Sequence, residues 1–94
     1  MAISQDRPYL DEQRLIEKHI DLDFDRYSFG RADARLKNSG VSVWILVSYI
    51  NMYDGDVDRV TTEYGLSSEE MDAALAYYRC YKKYVDARIL LNEA

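Results

Sequence analysis

The side chains that could carry chemistry are few in this sequence. His19 is the only histidine and Cys80 is the only cysteine. Glu17 and Asp21 lie two residues from His19, but side chains two residues apart do not share a helix face. A zinc site would need further ligands at a suitable spacing. We therefore interpret His19 as a partly exposed surface residue and Cys80 as a small, buried apolar side chain.

The acidic stretch at residues 54–58 is similar to the start of a calcium-binding loop. It reads Asp54-Gly55-Asp56-Val57-Asp58. The later glycine and the bidentate glutamate that such a loop requires are absent at their spacing, so we interpret the stretch as the end of one helix and the cap of the next. The sequence has no phosphate-binding glycine loop and no nucleophile elbow. We expect no catalytic site, no metal and no cofactor, and hence a protein that is not an enzyme.

Basic side chains form two candidate binding sites. The first group lies in an irregular stretch, where it could contact nucleic-acid phosphates as a flexible arm. Its members are Arg26, Arg31, Arg35 and Lys37. The second group alternates with tyrosines and consists of Arg79, Lys82, Lys83 and Arg88. This second group suits either nucleic acid or a solvated helix face that forms intermolecular salt bridges with the acidic residues 54–72.

Tyrosines form a third candidate site. Tyr77, Tyr81 and Tyr84 lie on one side of the last helical region, apart from the side that carries Met71 and Leu75. Tyrosine buries a ring while its hydroxyl stays in water, which suits interfaces. We predict that these residues form the interface of a homodimer or bind another protein. The alternative is a core that extends further around the helix.

Length and charge restrict the class of protein. A chain of 94 residues fits one domain. The net charge of −5 argues against loose, sequence-independent affinity for nucleic acid or an anionic membrane. The single cysteine favours a reducing compartment. No apolar run approaches the roughly 20 residues of a membrane span. The polar amino end lacks the hydrophobic core of a signal peptide. We expect a cytoplasmic protein without a membrane partner.

Hydrophobic periodicity predicts an all-α, or nearly all-α, fold. We expect helices near residues 11–20, 43–52, 57–64 and 67–81, and a final helix to about Asn92 that follows a bend near Lys82. Residues 1–8 are polar and should fray. Alternation at residues 20–24 predicts a short extended arm, for which the sequence offers no convincing partner strand nearby, so a second copy of the chain could supply one.

Capping signals organise the second half into a helix-turn-helix arrangement. Ser42 can cap the helix at 43–52, whose apolar stripe contains Trp44. Gly65 can end the next helix, and Ser67 with Glu70 forms a capping box for the one after. The second helix of such a unit would begin with carboxylates, which repel DNA phosphates. We therefore favour a helix-turn-helix that serves as a packing unit.

From Arg35 onward the chain resembles the domain-of-unknown-function family 433. The matching blocks, in order and at the family's spacing, are Arg35-Leu36, Gly40-Val41-Ser42-Val43-Trp44, Gly55-Asp56, Leu66-Ser67-Ser68-Glu69, Ala73-Ala74-Leu75-Ala76-Tyr77-Tyr78 and Val85-Asp86-Ala87-Arg88-Ile89. The family's arginine and proline are missing at the second block, where this chain has Ser39-Gly40-Val41-Ser42. Residues 1–34 lie outside the common pattern.

The resemblance implies a fold of the helix-turn-helix superfamily and frequent pairing with a PIN-like nuclease toxin. We therefore expect residues 1–40 to form an amino-terminal helix and basic arm, and residues 41–94 to form the helix-turn-helix-like part of one compact domain. The expected function is that of an antitoxin-like partner of a PIN-like nuclease that also represses its own operon by binding DNA. The alternative is a structural or adaptor homodimer without nucleic-acid binding.

Overall fold

The fold contains five helices and two very short strands. A computed structural model describes residues 2–93, with side chains from residue 11. The elements in chain order are α1 (Ala2–His19), β1 (Ile20–Asp21), 3₁₀ turns at Phe24–Arg26 and Gly30–Asp33, β2 (Arg35–Leu36), α2 (Val43–Met52), α3 (Val57–Glu63), α4 (Ser68–Cys80) and α5 (Lys82–Glu93). The expectation of a nearly all-α fold is confirmed.

The first helix is longer than the sequence predicts. It begins at Ala2, whereas the sequence predicts a start near residue 11, and Met1 lies outside the described residues. Polarity alone does not exclude a solvated helix, and α1 continues through Pro8. The helix ends at His19, one residue early, because Ile20 enters a strand.

The extended segment finds its partner within the same chain. β1 and β2 are antiparallel, with Ile20 opposite Leu36 and Asp21 opposite Arg35. The expected partner strand from a second copy is therefore unnecessary, and the extended piece is shorter than 20–24. The stretch that was expected to be a flexible arm is also packed, because Leu36 is buried in the core. The partner strand β2 has only two residues, which is too short to show an alternation of polar and apolar side chains, so the sequence did not predict it.

The core forms around α4, which packs between α1 and α2. Both of the predicted segments contribute buried side chains. Residues 1–40 supply Ile16, Ile20, Ala34 and Leu36, while the later part supplies Leu46, Val60, Met71, Tyr77 and Val85, among others. A single core therefore joins them. The Gly30–Asp33 turn packs on α5, so the irregular stretch forms a second layer over the carboxyl-terminal half.

The local signals for helix ends work as predicted in α3 and α4. Asp56 accepts the Arg59 N–H at 3.1 Å. Gly65 adopts the left-handed φ of 65° that ends α3. The break between α4 and α5 falls at Tyr81, close to the predicted bend, and it leaves Lys82 on the surface. Among residues 2–93, no helix is long and apolar enough to cross a membrane.

Candidate functional site: the outer face of α2

The amino end of α4 is occupied by contacts within the chain. Ser67 and Glu70 form both hydrogen bonds of the predicted capping box, at 2.9 and 3.0 Å. The Glu69 carboxylate contacts Lys18 Nζ and His19 Nε2, each at 2.7 Å. These two partners lower the pKa of Glu69 from 4.5 to about 2. His19 is half-buried and serves to join α1 to α4.

Because α1 and α2 cover two sides of α4, this helix is poorly placed to read DNA. Its buried side chains include Glu70, Met71 and Tyr77. The outward strip contains Asp72, a carboxylate that would face the phosphates of a DNA groove. The main packing partner of α3 is α2, while α4 packs mainly on α1 and α2.

Three of the four residues predicted to contact nucleic acid lie near one another, namely Arg26, Arg35 and Lys37. Asp21 pairs with Arg26 at 3.2 Å and accepts the Tyr27 hydroxyl at 2.7 Å. The Arg35 guanidinium lies 4.7 Å from the centre of the Tyr27 ring. Lys37 Nζ donates to the Glu17 carbonyl at 2.8 Å. Hydrogen bonds from Tyr27 and from the Asp23 N–H lower the pKa of Asp21, and the positive charge of Lys37 adds a smaller effect in the same direction.

Arg31 lies apart from these three. Its guanidinium is 5.5 Å from the Phe24 ring centre and 5.8 Å from that of Tyr81. It therefore belongs to the tyrosine surface. The predicted basic arm is divided by the fold into a three-cation cluster and a single arginine.

The tyrosine face is only partly a surface. Tyr77 is fully buried, its hydroxyl donates to the Arg31 carbonyl at 2.7 Å, and burial raises the pKa of that hydroxyl strongly. Its assignment to an interface is wrong, because the 3₁₀ layer covers this side of α4. Tyr81 is half-buried with its ring 4.6 Å from that of Tyr77, and Tyr84 is 51% exposed. The core extends around the helix as far as Tyr77, and the surface begins at Tyr81.

Three residues of the second basic group pair within the chain, and the fourth, Lys83, is exposed. Arg79 pairs with Glu12, and Lys82 pairs with Asp86 at 2.7 Å. These partners lie outside the acidic residues 54–72, so the expected intermolecular pairing is not needed for them. Cys80 is exposed, contrary to the expectation of a buried residue, because the last residue of α4 faces away from the core.

Arg88 is the most enclosed cation of this group. Its guanidinium lies between two rings, 4.4 Å from the centre of Trp44 and 4.8 Å from that of Phe29. Its Nε donates to Asp33 Oδ1 at 2.9 Å, while Asp33 Oδ2 accepts the Phe29 N–H at 3.2 Å. Sequence reasoning missed this cluster, since its members are separated by up to 59 residues and no local pattern relates them.

The outer face of α2 carries an apolar groove. The buried face of this helix includes Leu46, Val47 and Ile50. The groove, of 360 Å³, is lined mainly by Trp44, Ile45, Tyr49, Met52 and Tyr64. Trp44, which the sequence places in the apolar stripe, is half-buried: it packs against the core and also lines this groove. A helix that is apolar on all sides gives no periodic signal for which side faces the core.

The side chains of this groove are held in place but remain accessible. The Tyr49 ring lies 5.9 Å from that of Tyr64 and 6.1 Å from that of Tyr53. Met52 is 67% exposed at the end of the helix.

Among residues 11–93, no three His, Cys, Asp or Glu side chains form a group that would hold a metal ion.

No family model, curated protein or solved structure matches this chain. The resemblance to family 433 therefore rests on the matching residues alone.

Proposed function

We propose that this chain is a small regulatory protein that acts by binding another protein through the outer face of α2. The resemblance to family 433 supplies the class of partner, a PIN-like nuclease that the chain inhibits as an antitoxin. The observation that carries the proposal is the apolar groove on α2, which ends at the exposed Met52. The proposed role is not catalytic.

The composition of the groove supports binding to a protein. Aromatic residues and methionine are enriched at the centres of protein interfaces, and charged residues are depleted there. Trp44, Tyr49, Met52 and Tyr64 provide such a surface, and none of the residues that line the groove is charged. An exposed apolar surface of this kind in a chain this small is typical of an interaction site.

The test is a binding measurement with the product of the neighbouring open reading frame. We expect the two purified proteins to form a complex by calorimetry and the nuclease to lose activity. Met52→Glu should weaken the complex by at least about tenfold, because it places a charge against an apolar partner surface. Tyr84→Glu, which changes another exposed apolar residue outside the groove, should leave affinity unchanged. An unaffected Met52→Glu complex, or no complex at all, would contradict the proposal.

Operon autoregulation is the second part of this proposal, and the three-cation cluster of Arg26, Arg35 and Lys37 supports it. Neutralising three phosphates would give a salt slope of about −2.7 for duplex DNA. We expect the double variant Arg26→Gln, Lys37→Gln to bind promoter DNA more weakly and to flatten the slope by about 2. Glu69→Ala should bind equally well or better, since α4 does not lead the contact. Absence of retardation at low salt for the wild type would remove this part.

A second candidate function is that of a homodimeric adaptor. It is favoured by the exposed apolar residues of α5, namely Tyr84, Leu90 and Leu91. In this case light scattering would give twice the chain mass at micromolar concentration, and Tyr84→Ala would reduce it to that of a monomer. A monomeric wild type would exclude the adaptor and leave the antitoxin proposal in place.

A further inference from the structure

The amino end of α2 lacks the cap that its sequence offers. Ser42 occupies the N-cap position, yet its side chain makes no cap hydrogen bond. The Val43 N–H donates to the Ala34 carbonyl at 2.9 Å, and Leu46 is the next residue to donate, to Ser42. In the described part of the chain, the N–H groups of Trp44 and Ile45 thus make no hydrogen bond. Such groups are normally satisfied by the N-cap side chain, water or a ligand.

Trp44 and Ile45 line a cavity of 500 Å³. The residues around it include Arg35, Ser42, Trp44, Ile45, Tyr64 and Arg88. Arg35 and Ser42 form an antiparallel bridge, flanked by hydrogen bonds from Leu36 to Val41 and from Val43 to Ala34. Side chains opposite each other in such a bridge project to the same side, about 5 Å apart at their Cβ atoms. The backbone therefore directs Arg35 and Ser42 into the same space.

The Ser42 side chain is largely buried, and its hydroxyl does not cap α2. Ser42 is only 7% exposed, and its hydroxyl makes no hydrogen bond with any residue that the structure describes. No described side-chain N or O atom is both sealed from solvent and unpaired. The hydroxyl must therefore meet open space, and the cavity that Ser42 lines is that space. A hydroxyl that faces a cavity and has no partner within the chain can hydrogen-bond a ligand or water there.

The charges around the cavity favour an anion. Arg35 and Arg88 provide two positive charges, and Asp33 provides one negative charge. Both Asp33 oxygens are already occupied, by Arg88 Nε and by the Phe29 N–H. One positive charge remains in excess, and the partial positive charge of the α2 amino end adds to it.

We propose that this cavity binds a carboxylate whose attached group is apolar. The carboxylate would accept hydrogen bonds from the N–H groups of Trp44 and Ile45 and from the Ser42 hydroxyl, with Arg35 beside it. Trp44, Ile45 and Tyr64 line both this cavity and the α2 groove, so they provide a continuous wall for the apolar group. A single excess positive charge matches a monoanion better than a phosphate dianion. Two sources share this chemistry, a free organic acid and the carboxyl terminus of a protein chain.

Trp44 provides the signal for a direct test, since it is the only tryptophan and it lines the cavity. We would titrate the full chain with 3-phenylpropionate and follow tryptophan fluorescence. The neutral amide, 3-phenylpropionamide, keeps the ring but removes the charge. We expect saturable binding of the acid and at least about tenfold weaker binding of the amide, because hydrogen bonds to a charged acceptor are lost. Equal affinities would overturn the proposal, as would a linear, unsaturable response to the acid.

Arginine variants provide the matched control. Arg35→Gln removes a cavity cation and should weaken the acid about tenfold. Arg26→Gln removes a neighbouring cation that also contacts Tyr27 but does not line the cavity, and it should have no effect. Equal losses in the two variants would mean general attraction of anions and would overturn the site. Arg88 is left unchanged because its pair with Asp33 is part of the fold.

Two further probes decide the chemistry and the source of the ligand. Inorganic phosphate should compete poorly, and tighter binding of phosphate than of the acid would overturn the assignment to a carboxylate. N-acetyl-Gly-Phe with a free carboxyl group should also bind, and its amidated form should not. A higher affinity for this peptide than for the free acid identifies a chain terminus as the source, and a lower affinity identifies a free acid. Failure of both to bind overturns the proposal, without bearing on whether the α2 groove binds the nuclease.

Discussion

The amino ends of α4 and α2 carry the same capping signal, but only the one in α4 forms its cap hydrogen bonds. Each has a serine at the N-cap position, Ser67 in α4 and Ser42 in α2. The Ser67 hydroxyl accepts the Glu70 N–H, and Glu70 returns a bond to the Ser67 N–H. The Ser42 hydroxyl makes no cap hydrogen bond, and α2 has no glutamate three residues later. We call the amino end of α4, which Ser67 caps, the closed end, and the amino end of α2, which Ser42 does not cap, the open end.

The difference separates stability from binding. At α4, the hydrogen-bonding groups stabilise the fold, because the amino end packs against α1 through Lys18 and His19. At α2, the unpaired groups lie beside two cations and an apolar groove, where a ligand or partner would complete them. Sites of binding commonly depart from the local rules that stabilise the rest of a protein. The amino end of α4 thus serves the fold, and α2 carries the proposed function.

The largest effect on the free energy of unfolding should come from the Asp33–Arg88 pair, which lines the cavity at the open end. Asp33→Asn leaves the Arg88 guanidinium enclosed between two rings without its counter-charge. We expect a loss of roughly 3 kcal/mol in the free energy of unfolding, measured by urea denaturation. Glu63→Gln breaks an exposed pair with Arg59 and should cost less than about 0.5 kcal/mol. Similar losses for the two variants would contradict a structural role for the Asp33–Arg88 pair.

The intermediate effect compares the two serines directly. Ser67→Ala removes a cap that makes hydrogen bonds in both directions and should cost about 1 kcal/mol of unfolding free energy. Ser42→Ala removes a hydroxyl that caps nothing and should change it by less than about 0.5 kcal/mol. The measurement is again urea denaturation, without added carboxylate. An equal cost for both serines would mean that the α2 end is closed in solution.

A related variant sharpens this comparison. Ser42→Asp introduces a carboxylate that can cap α2 from within. It should raise the free energy of unfolding by about 0.5–1 kcal/mol, because a negative charge is favourable at a helix amino end. It should also abolish binding of 3-phenylpropionate, whose place it takes. Ser67→Asp is the control at the closed end and should leave binding of the acid intact. A destabilised Ser42→Asp protein that still binds the acid would contradict the open-end account.

The sequence predicts the closed end well because its interactions are local. The capping box involves residues three apart, and the cap of α3 spans the same distance between Asp56 and Arg59. The same reasoning placed the start of α2 correctly at Val43. It could not show that the Ser42 hydroxyl remains unpaired, since that depends on the bridge with Arg35 and on the packing beside it.

The open end and its surroundings depend on contacts between distant residues. Asp33 and Arg88 are 55 residues apart, and both Phe29 and Trp44 are needed to enclose the guanidinium. Tyr77 is a similar case. The chain segment that covers it comes from the irregular stretch, where no periodic pattern predicts packing.

The smallest expected effect is a pH dependence at the closed end. The pKa of Glu69 is about 2 in the folded chain, below its ordinary value of 4.5. A lowered pKa stabilises the fold above pH 4.5, and this contribution is lost as the pH falls toward 2. Denaturation between those pH values should therefore show a steeper loss of stability for wild type than for Glu69→Gln. Because the carboxylate is exposed, about 1 M salt should remove most of the difference. Identical pH profiles at low salt would contradict the contacts with Lys18 and His19.

The most direct test of the open end is an amide NMR titration of the full chain with 3-phenylpropionate. It observes both helix ends in one experiment. We predict saturable shifts of the Trp44 and Ile45 amide signals, since these N–H groups receive the carboxylate, and unchanged signals for Glu69 and Glu70. Shifts of equal size at both ends, or shifts confined to α4, would contradict the account.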